Sequence, residues 1–381
     1  MSRNPFKPTA GASPPLLVGR EDVLDAWADS LDNGPGSPGR ITIYTGGRGV
    51  GKTVMLNEVG NIARESGWLV IDETATPGFV GRIHHAIVRY LKEWVEPTGR
   101  RVTGGRVGPI SVTTQLPEEG DRDLSTDLRS LLDSLARHET GLVLTLDEVH
   151  RRSGADDLAV VAAITQHMVR EGRDFGVAMA GLPQAISELL TDAPITTFMR
   201  RADRHELNDV QPEAVAKALR EPIEQSGKHI EDQALTAAVE ATGGYPFLIQ
   251  LVGFHVWKQS REGAIDSDAV RAGVDAARRR FGSLVQEPAL QDLSEVDRTF
   301  LAAMAADDGP TSVSDIQLRM GITKNGPQYV NEYRNRLIKS DMIRQVGRGR
   351  VDYALPFLRE YLRDHAATLG LSIASQPEEG E

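Results

Sequence analysis

Eight residues, "GGRGVGKT" from Gly46 to Thr53, constrain this chain more than any other stretch. They fit G-x-x-x-x-G-K-[ST]. They stand between an apolar run, "RITIYTG" (Arg40–Gly46), and a helical pattern, "GKTVMLNEVGNIARESG". Strand, loop and helix in that order are the setting a phosphate-binding loop requires. Glycines let the backbone wrap tightly and turn its N–H groups inward. The helix N-terminus adds partial positive charge beneath bound phosphates. Gly46, Gly47, Arg48, Gly49, Val50 and Gly51 are thus expected to cradle phosphate, with Lys52 reaching the β- and γ-phosphates and Thr53 ligating Mg²⁺. A plain glycine-rich turn before a helix is the bland alternative, and the register of strand, loop, Lys and Thr speaks against it.

Apolar runs alternate with helical patterns from residue 17 to 210. Further strands are expected at "WLVIDET" (Trp68–Thr74), "GLVLTLDE" (Gly141–Glu148), "FGVAMAG" (Phe175–Gly181) and "RHELNDV" (Arg204–Val210). The middle three are nearly continuous in apolar residues, as strands buried on both faces are. Strand–helix alternation implies a parallel sheet covered on both sides. "EPTGRRVTGGRVGPISVTTQLPEEGDRD" (Glu96–Asp123) interrupts the rhythm and reads as an inserted hairpin or loop before a helix. "LVLTLDE" ends in two acids, which a parallel sheet delivers to its C-terminal edge beside the phosphate loop. Asp147 is expected to hold magnesium through water, and Glu148 to orient and polarise the attacking water.

Residues 211–285 read as a helical bundle throughout. "PEAVAKALREPIEQSG" opens it with proline in the first turn and glycine at the stop. Residues 292–365 show three helices and then a two-stranded hairpin, the pattern of a winged helix-turn-helix. Residues 1–16, rich in Pro, Ser and Gly, read as a flexible arm, and residues 366–381 as a disordered acidic tail. The expected fold class is therefore α/β: a five-stranded parallel αβα P-loop core, a helical lid and a C-terminal winged helix.

In this order the motifs resemble an AAA+ ATPase of the origin-recognition-like and STAND-like (archaeal-type ATPase) group. "LLVGREDVLDAW" (Leu16–Trp27) is similar to the segment before the first core strand in that group. The resemblance implies that Val18, Gly19 and Arg20 frame the adenine. "MAGLPQAI" (Met179–Ile186) resembles the turn after the fourth strand, and "FMRRADRHELNDVQPEAVAKAL" (Phe198–Leu219) the Arg-containing segment before the lid. "TGGYPFLIQ" resembles the Gly-x-Pro lid motif and implies that Tyr245 and Pro246 meet the base or ribose side of ATP. The likeness spans residues 16–285. Arg200 and Arg201 are the candidates for stabilising charge on the transferring phosphoryl group, in cis or from a neighbouring subunit; Arg204 lies close by. Two departures point to slow turnover. Ala178, Met179 and Ala180 stand where a polar residue normally ends the fourth strand, and the lid arginine of many AAA+ motors is missing.

The chain carries net charge -11 over 381 residues, so no global basic field draws it to nucleic acid. Between Thr311 and Val351, however, eight basic residues face three acidic ones. The basic ones are Arg319, Lys324, Arg334, Arg336, Lys339, Arg344, Arg348 and Arg350; the acidic ones are Asp315, Glu332 and Asp341. "GRGR" (Gly347–Arg350) suits phosphate or minor-groove contact, and Lys324, Asn325, Gln328, Asn331 and Arg334 lie on or near the recognition helix. Cysteine is absent, which excludes disulfides, thiol catalysis and cysteine-bound zinc. His150, His84 and His85 lack metal-site spacing. No apolar run approaches a membrane span, and the first residues lack a signal-peptide core, so a cytoplasmic protein is expected. The leading expectation is an ATPase with slow hydrolysis whose nucleotide state controls a DNA-binding winged helix. The alternative is a STAND-like signalling or regulatory switch whose winged helix binds protein and no nucleic acid; a homo-oligomer or a protein partner is compatible with either reading.

Overall fold

The structure is a computed structural model that describes residues 3–94, 123–150, 155–191, 199–260, 263–322 and 326–371. Helix α1 (Glu21–Asp32) precedes the core strands β1 (Ile41–Thr45), β2 (Leu69–Thr74), β3 (Leu142–Asp147), β4 (Phe175–Gly181) and β5 (Asp203–Glu206). The strands form one sheet in the order β2-β3-β4-β1-β5, and each pairing is parallel. Helix α2 (Lys52–Glu65) follows β1, α3 (Phe79–Trp94) follows β2, and α4 (Leu124–Ala136) leads into β3. Helix α5 (Ala155–Arg170) follows β3, and α6 (Pro183–Leu189) follows β4.

Alternation along the strands feeds two separate cores. Tyr44, Val70, Val143, Ala178 and Ala180 face one cluster with Trp27, Met55 and Val59 of α1 and α2. Ile43, Ile71, Leu144, Val177 and Met179 face the other with Phe79, Leu131 and Val161 of α3 to α5. This is the αβα sandwich that near-continuous apolar strands require. The inserted segment expected at Glu96–Asp123 lies outside the described residues except for Asp123, which caps α4 by accepting from Thr126 N.

The fifth strand is shorter than the expected Arg204–Val210. Leu207 N still bonds to Thr45 O at 2.7 Å, but Val210 N turns away to Gly244 O at 2.8 Å. By Val210 the backbone thus satisfies itself against the next unit rather than against β1.

That unit holds α7 (Pro212–Gln225), α8 (Asp232–Thr242), α9 (Pro246–Gln259) and α10 (Ser267–Phe281). It is not helical throughout. β6 (His229–Ile230) and β7 (Ala264–Ile265) pair in parallel and tie its two interhelical loops together. Two-residue strands are too short to leave a period-2 signal in sequence. The N-terminal arm is also not free. Phe6 is buried in the notch left by Gly253 of α9. Asn4 Nδ2 donates to Phe254 O at 2.9 Å, and Lys7 N to Gln250 Oε1 at 3.2 Å. An aromatic ring and two anchoring polar contacts outweigh a composition that reads as disorder.

Helix α10 runs through a π-helical segment (Gly282–Gln286) into α11 (Glu287–Gln291). The last unit comprises α12 (Glu295–Met304), β8 (Thr311–Ser312), α13 (Val313–Arg319), α14 (Gly326–Lys339), β9 (Ile343–Gly347), β10 (Arg350–Tyr353) and α15 (Leu358–His365). Its sheet has three antiparallel strands in the order β8-β10-β9, one more than the expected hairpin. Its core is its own, centred on Phe300, Leu337, Val351 and Leu362. Leu369 and Leu371 pack against it, so the start of the expected tail is ordered; residues 372–381 lie outside the described residues.

Candidate nucleotide site

The loop between β1 and α2 is shaped by close approaches that only glycine permits. A Cβ on Gly46 would come within 2.7 Å of Leu207 O and of Val50. Gly51 caps α2 with φ 95°, a left-handed conformation that costs glycine nothing. Lys52 Nζ curls back and donates to Gly46 O at 2.9 Å and to Gly47 O at 2.5 Å. Burial pulls the lysine pKa down, while the carboxylates of Asp341 and Asp147 push it up.

Thr53 Oγ1 donates to Asp147 Oδ2 at 2.6 Å. The first turn of α2 and the end of β3 therefore bring two oxygen donors together over 94 residues of sequence separation. Glu148 follows in the left-handed region, φ 55°, and its amide donates to Asp147 Oδ1 at 2.8 Å. A non-glycine residue held there stores strain of about 1–3 kcal/mol, of the kind that clusters at functional sites. Glu148 is exposed, and so is His150. Ala178, Met179 and Ala180 at the end of β4 are fully buried. Among the described residues no three His, Cys, Asp or Glu side chains group as a metal site. A Thr hydroxyl and one carboxylate match instead the sparse protein donor set of magnesium in P-loop proteins, where phosphate and water complete the shell.

Val18 is buried, and Gly19 takes φ 66° against Val210. Arg20 N donates to Glu21 Oε2 at 2.8 Å, and its guanidinium donates to the carbonyl of Asn208. Burial lowers the Arg20 pKa against the pull of Asp209 and Glu21. This segment is thereby tied to the stretch that leads from β5 into the helical unit.

Tyr245 reaches further than sequence suggested. Its side chain is 4% exposed, and its hydroxyl donates to Arg48 O at 2.6 Å. A Cβ on Gly49 would lie 2.0 Å from that oxygen. Expected on the base or ribose side, Tyr245 instead has its polar tip on the phosphate loop itself. Its ring meets Phe281 edge-on at 5.8 Å. Pro246 opens α9 and makes no claim on the loop beyond fixing that entry. Gly244, at φ 76°, lets Val210 O pass 2.4 Å from where a Cβ would be.

Arg200 lines a groove with Thr45, Ile186, Leu190, Arg204 and Glu206, one residue before the phosphate loop, and its Nε donates to Leu190 O at 3.1 Å. Arg201 is exposed on the adjoining turn.

Asp341 was missed as a site residue, counted only as one acid among many bases. It closes α14 at φ 59°, and its Oδ2 accepts from Arg48 N at 2.7 Å. The partners are 293 residues apart, a separation that leaves no local signal. Of the expected nucleic-acid residues, Lys324 and Asn325 lie outside the described residues. Arg348 is exposed at the β9–β10 turn, Arg350 donates to Pro310 O at 2.8 Å, and Arg334 is half-buried with one nitrogen on Asn335.

Parallel strand order, phosphate loop and acidic strand end define a P-loop nucleotide-binding core. Residues 16–172 match the AAA ATPase domain, and residues 284–362 match a domain of unknown function, DUF8462. Over residues 16–172 this core is therefore similar to an AAA ATPase domain. No curated protein matches the sequence. In fold, the chain is similar to the Walker-type ATPase paby2304 of Pyrococcus abyssi, with TM-score 0.65 at 16% identity over 91% of this chain and 96% of that one. It is also similar to the Aeropyrum pernix ORC2 protein, solved as ADPNP–ADP complexes, with TM-score 0.61 at 17% identity over 95% and 98% of the two chains. Among the described residues no helix is long and apolar enough to cross a membrane.

Proposed function

We propose that this chain is a Mg-ATP-dependent switch with slow hydrolysis, whose nucleotide state sets the position of a C-terminal winged helix that contacts DNA. The observation that carries this reading is the 2.6 Å contact of Thr53 with Asp147 beside Lys52. Thr53 and Asp147 would hold Mg²⁺, which when bound neutralises charge on the β- and γ-phosphates. Lys52 exchanges its loop carbonyls for phosphate oxygens. Glu148 orients and polarises the attacking water. Val18, Gly19 and Arg20 frame the base. Arg200, which shares a groove with Thr45, is the candidate to stabilise phosphoryl charge in cis, and Arg201 the candidate to act on a neighbouring subunit. The buried alanines that end β4 supply no polar group to position water, which accounts for slow turnover. The fold-similar Aeropyrum protein, solved with ADPNP and ADP, supports an adenine nucleotide as ligand.

Helices α12, α13 and α14 with the β8–β10 sheet are read as the winged helix, with β9–β10 as its wing. Arg348 and Arg350 flank a glycine at the wing tip and suit phosphate contact. Two measurements test the proposal. Lys52→Ala should abolish ATP binding by calorimetry, and Glu148→Gln should keep binding while stopping turnover. Intact binding in the first, or unchanged turnover in the second, sinks the assigned roles.

A second reading, a switch whose winged helix docks protein, is favoured by one observation. Arg319 is committed to Asp307, Arg336 to Asp297 and Lys339 to Glu188. Much of the local basic excess is therefore spent within the chain. A gel shift titrated over salt separates the readings. DNA binding predicts a shift at low salt that Arg348→Ala with Arg350→Ala weakens, and no shift at all favours the protein-docking switch.

A further inference from the structure

The turn that follows α14 enters the phosphate loop. Asp341 Oδ2 accepts the Arg48 amide at 2.7 Å, on the loop whose N–H groups are built to receive phosphate oxygens. Its charge lies close enough to Lys52 to be the strongest electrostatic support for that ammonium, ahead of Asp147. Gly47 makes the approach possible: a Cβ there would stand 2.9 Å from Asp341 Oδ2. A loop amide and the loop lysine are the two kinds of donor a γ-phosphate would use; here a carboxylate takes the amide, and its charge acts on the lysine, whose own hydrogen bonds go to Gly46 O and Gly47 O.

The turn does not need that carboxylate. Met342 N bonds to Leu337 O at 3.0 Å and Asp341 N to Ile338 O at 3.1 Å, which closes the helix in the manner of a left-handed cap. Glycine or asparagine would serve such a position at least as well. Burial also works against the charge, holding the Asp341 carboxyl above its ordinary range, with the Arg48 amide, Lys52, Arg48 and Arg344 opposing. One ion pair holds the same turn against the core: Lys339 Nζ pairs with Glu188 Oε1 at 2.8 Å, and the charge of Arg344 also acts on the exposed Asp209.

We propose that Asp341 is an intramolecular latch: its carboxylate takes the place of a nucleotide phosphate on the Arg48 amide and Lys52, so that the C-terminal unit and ATP compete for one loop. The latch rests on the nucleotide reading given above and deepens it. In that reading nucleotide state moves the C-terminal unit; here the competing atoms are named. The closed chain carries the unit docked. Binding of a β- or γ-phosphate expels the carboxylate, since two anions cannot share the loop, and releases α14 and the wing.

The absence of cysteine makes the test direct. Glu65→Cys on the core and Glu295→Cys on α12 are both exposed sites for a spin-label pair that reports docking. Asp341→Asn keeps the left-handed turn and removes the charge. ATP, ADP and AMP are titrated by calorimetry into the chain with and without that substitution. The latch predicts that ATP lengthens the label distance in the unsubstituted chain. It predicts that Asp341→Asn is lengthened without nucleotide, and binds ATP and ADP roughly tenfold tighter with AMP unchanged, as expected when the competent fraction rises. An ATP affinity that is unchanged or weaker in a chain that does bind ATP overturns the latch and leaves the nucleotide reading standing. A chain that opens with Asp341→Asn yet binds none of the three nucleotides in either form overturns the nucleotide reading instead, and the competition with it.

Discussion

Gly253→Ala poses two opposed effects whose sizes differ enough to decide the sign. Gly253 lies inside α9, where alanine is favoured over glycine by about 0.8–1 kcal/mol. On propensity alone the substitution stabilises. But the three nearest atoms a new Cβ would meet all belong to the Phe6 ring, at 2.5 to 2.8 Å. Such contacts force the ring out of its notch. Phe6 is 2% exposed, and returning a buried aromatic to water costs about 1.5–3 kcal/mol. The bonds from Asn4 and Lys7 to the same helix are strained or lost with it. The balance is a destabilisation of about 1–2 kcal/mol. In a Phe6→Ala background the clash is gone, and the same substitution should stabilise by about 0.5–1 kcal/mol. Urea unfolding of the four chains of this cycle, followed by hydrogen exchange across Phe247–Gln259, reads the coupling. An effect of the same sign and size in both backgrounds would show that the arm does not occupy α9.

Three other outcomes follow from the geometry. Arg40 is 3% exposed and donates to Ser30 O, Leu31 O and Asp174 at 2.8 Å each, so Arg40→Ala should cost about 3–5 kcal/mol in urea unfolding, with Arg40→Lys between the two; a loss below about 1 kcal/mol would contradict a structural role for this buried fork. Tyr245→Phe removes one hydrogen bond to the phosphate loop and should loosen the start of α9 by about 1 kcal/mol, seen as faster amide exchange at Phe247–Leu251; unchanged exchange would mean the hydroxyl holds nothing. Burial beside Lys258, Arg280 and Arg279 lowers the His255 pKa below its ordinary 6.5. The unfolded chain therefore binds the proton more readily, and stability contributed by neutral His255 is present above pH 6.5 and lost as pH falls through that value. His255→Gln should flatten the drop in urea midpoint between pH 7.5 and 5.5, and an identical drop would exclude the histidine as its source.

The core was legible because its signals are local. The glycines, Lys52 and Thr53 sit in one eight-residue motif, and the strands declare themselves by unbroken apolar runs. Asp147 was placed by the rule that parallel strands present their C-terminal ends to the ligand, and Thr53 Oγ1 lies 2.6 Å from it. The fifth strand was drawn too long because Leu207–Val210 looks extended in sequence whichever partner its amides choose. Gly244 decides that choice, by opening space for the Val210 carbonyl. The arm was misjudged for a related reason. Proline, serine and glycine describe a chain that cannot build its own core, but Phe6 uses a core made by α9.

Sequence alone determined where the phosphate-loop motif stands between strand and helix and that the central strands are buried on both faces, since both depend on backbone chemistry and short local patterns. Tertiary structure decided what else touches the phosphate loop. Tyr245 arrives at Arg48 from 197 residues away and Asp341 from 293, and neither carries a mark in its own neighbourhood that names its partner. A turn that tolerates aspartate looks the same whether its carboxylate faces water or a P-loop. Only packing the C-terminal unit against the core aims that charge, because the contact energy belongs to the pair of surfaces and to neither stretch by itself.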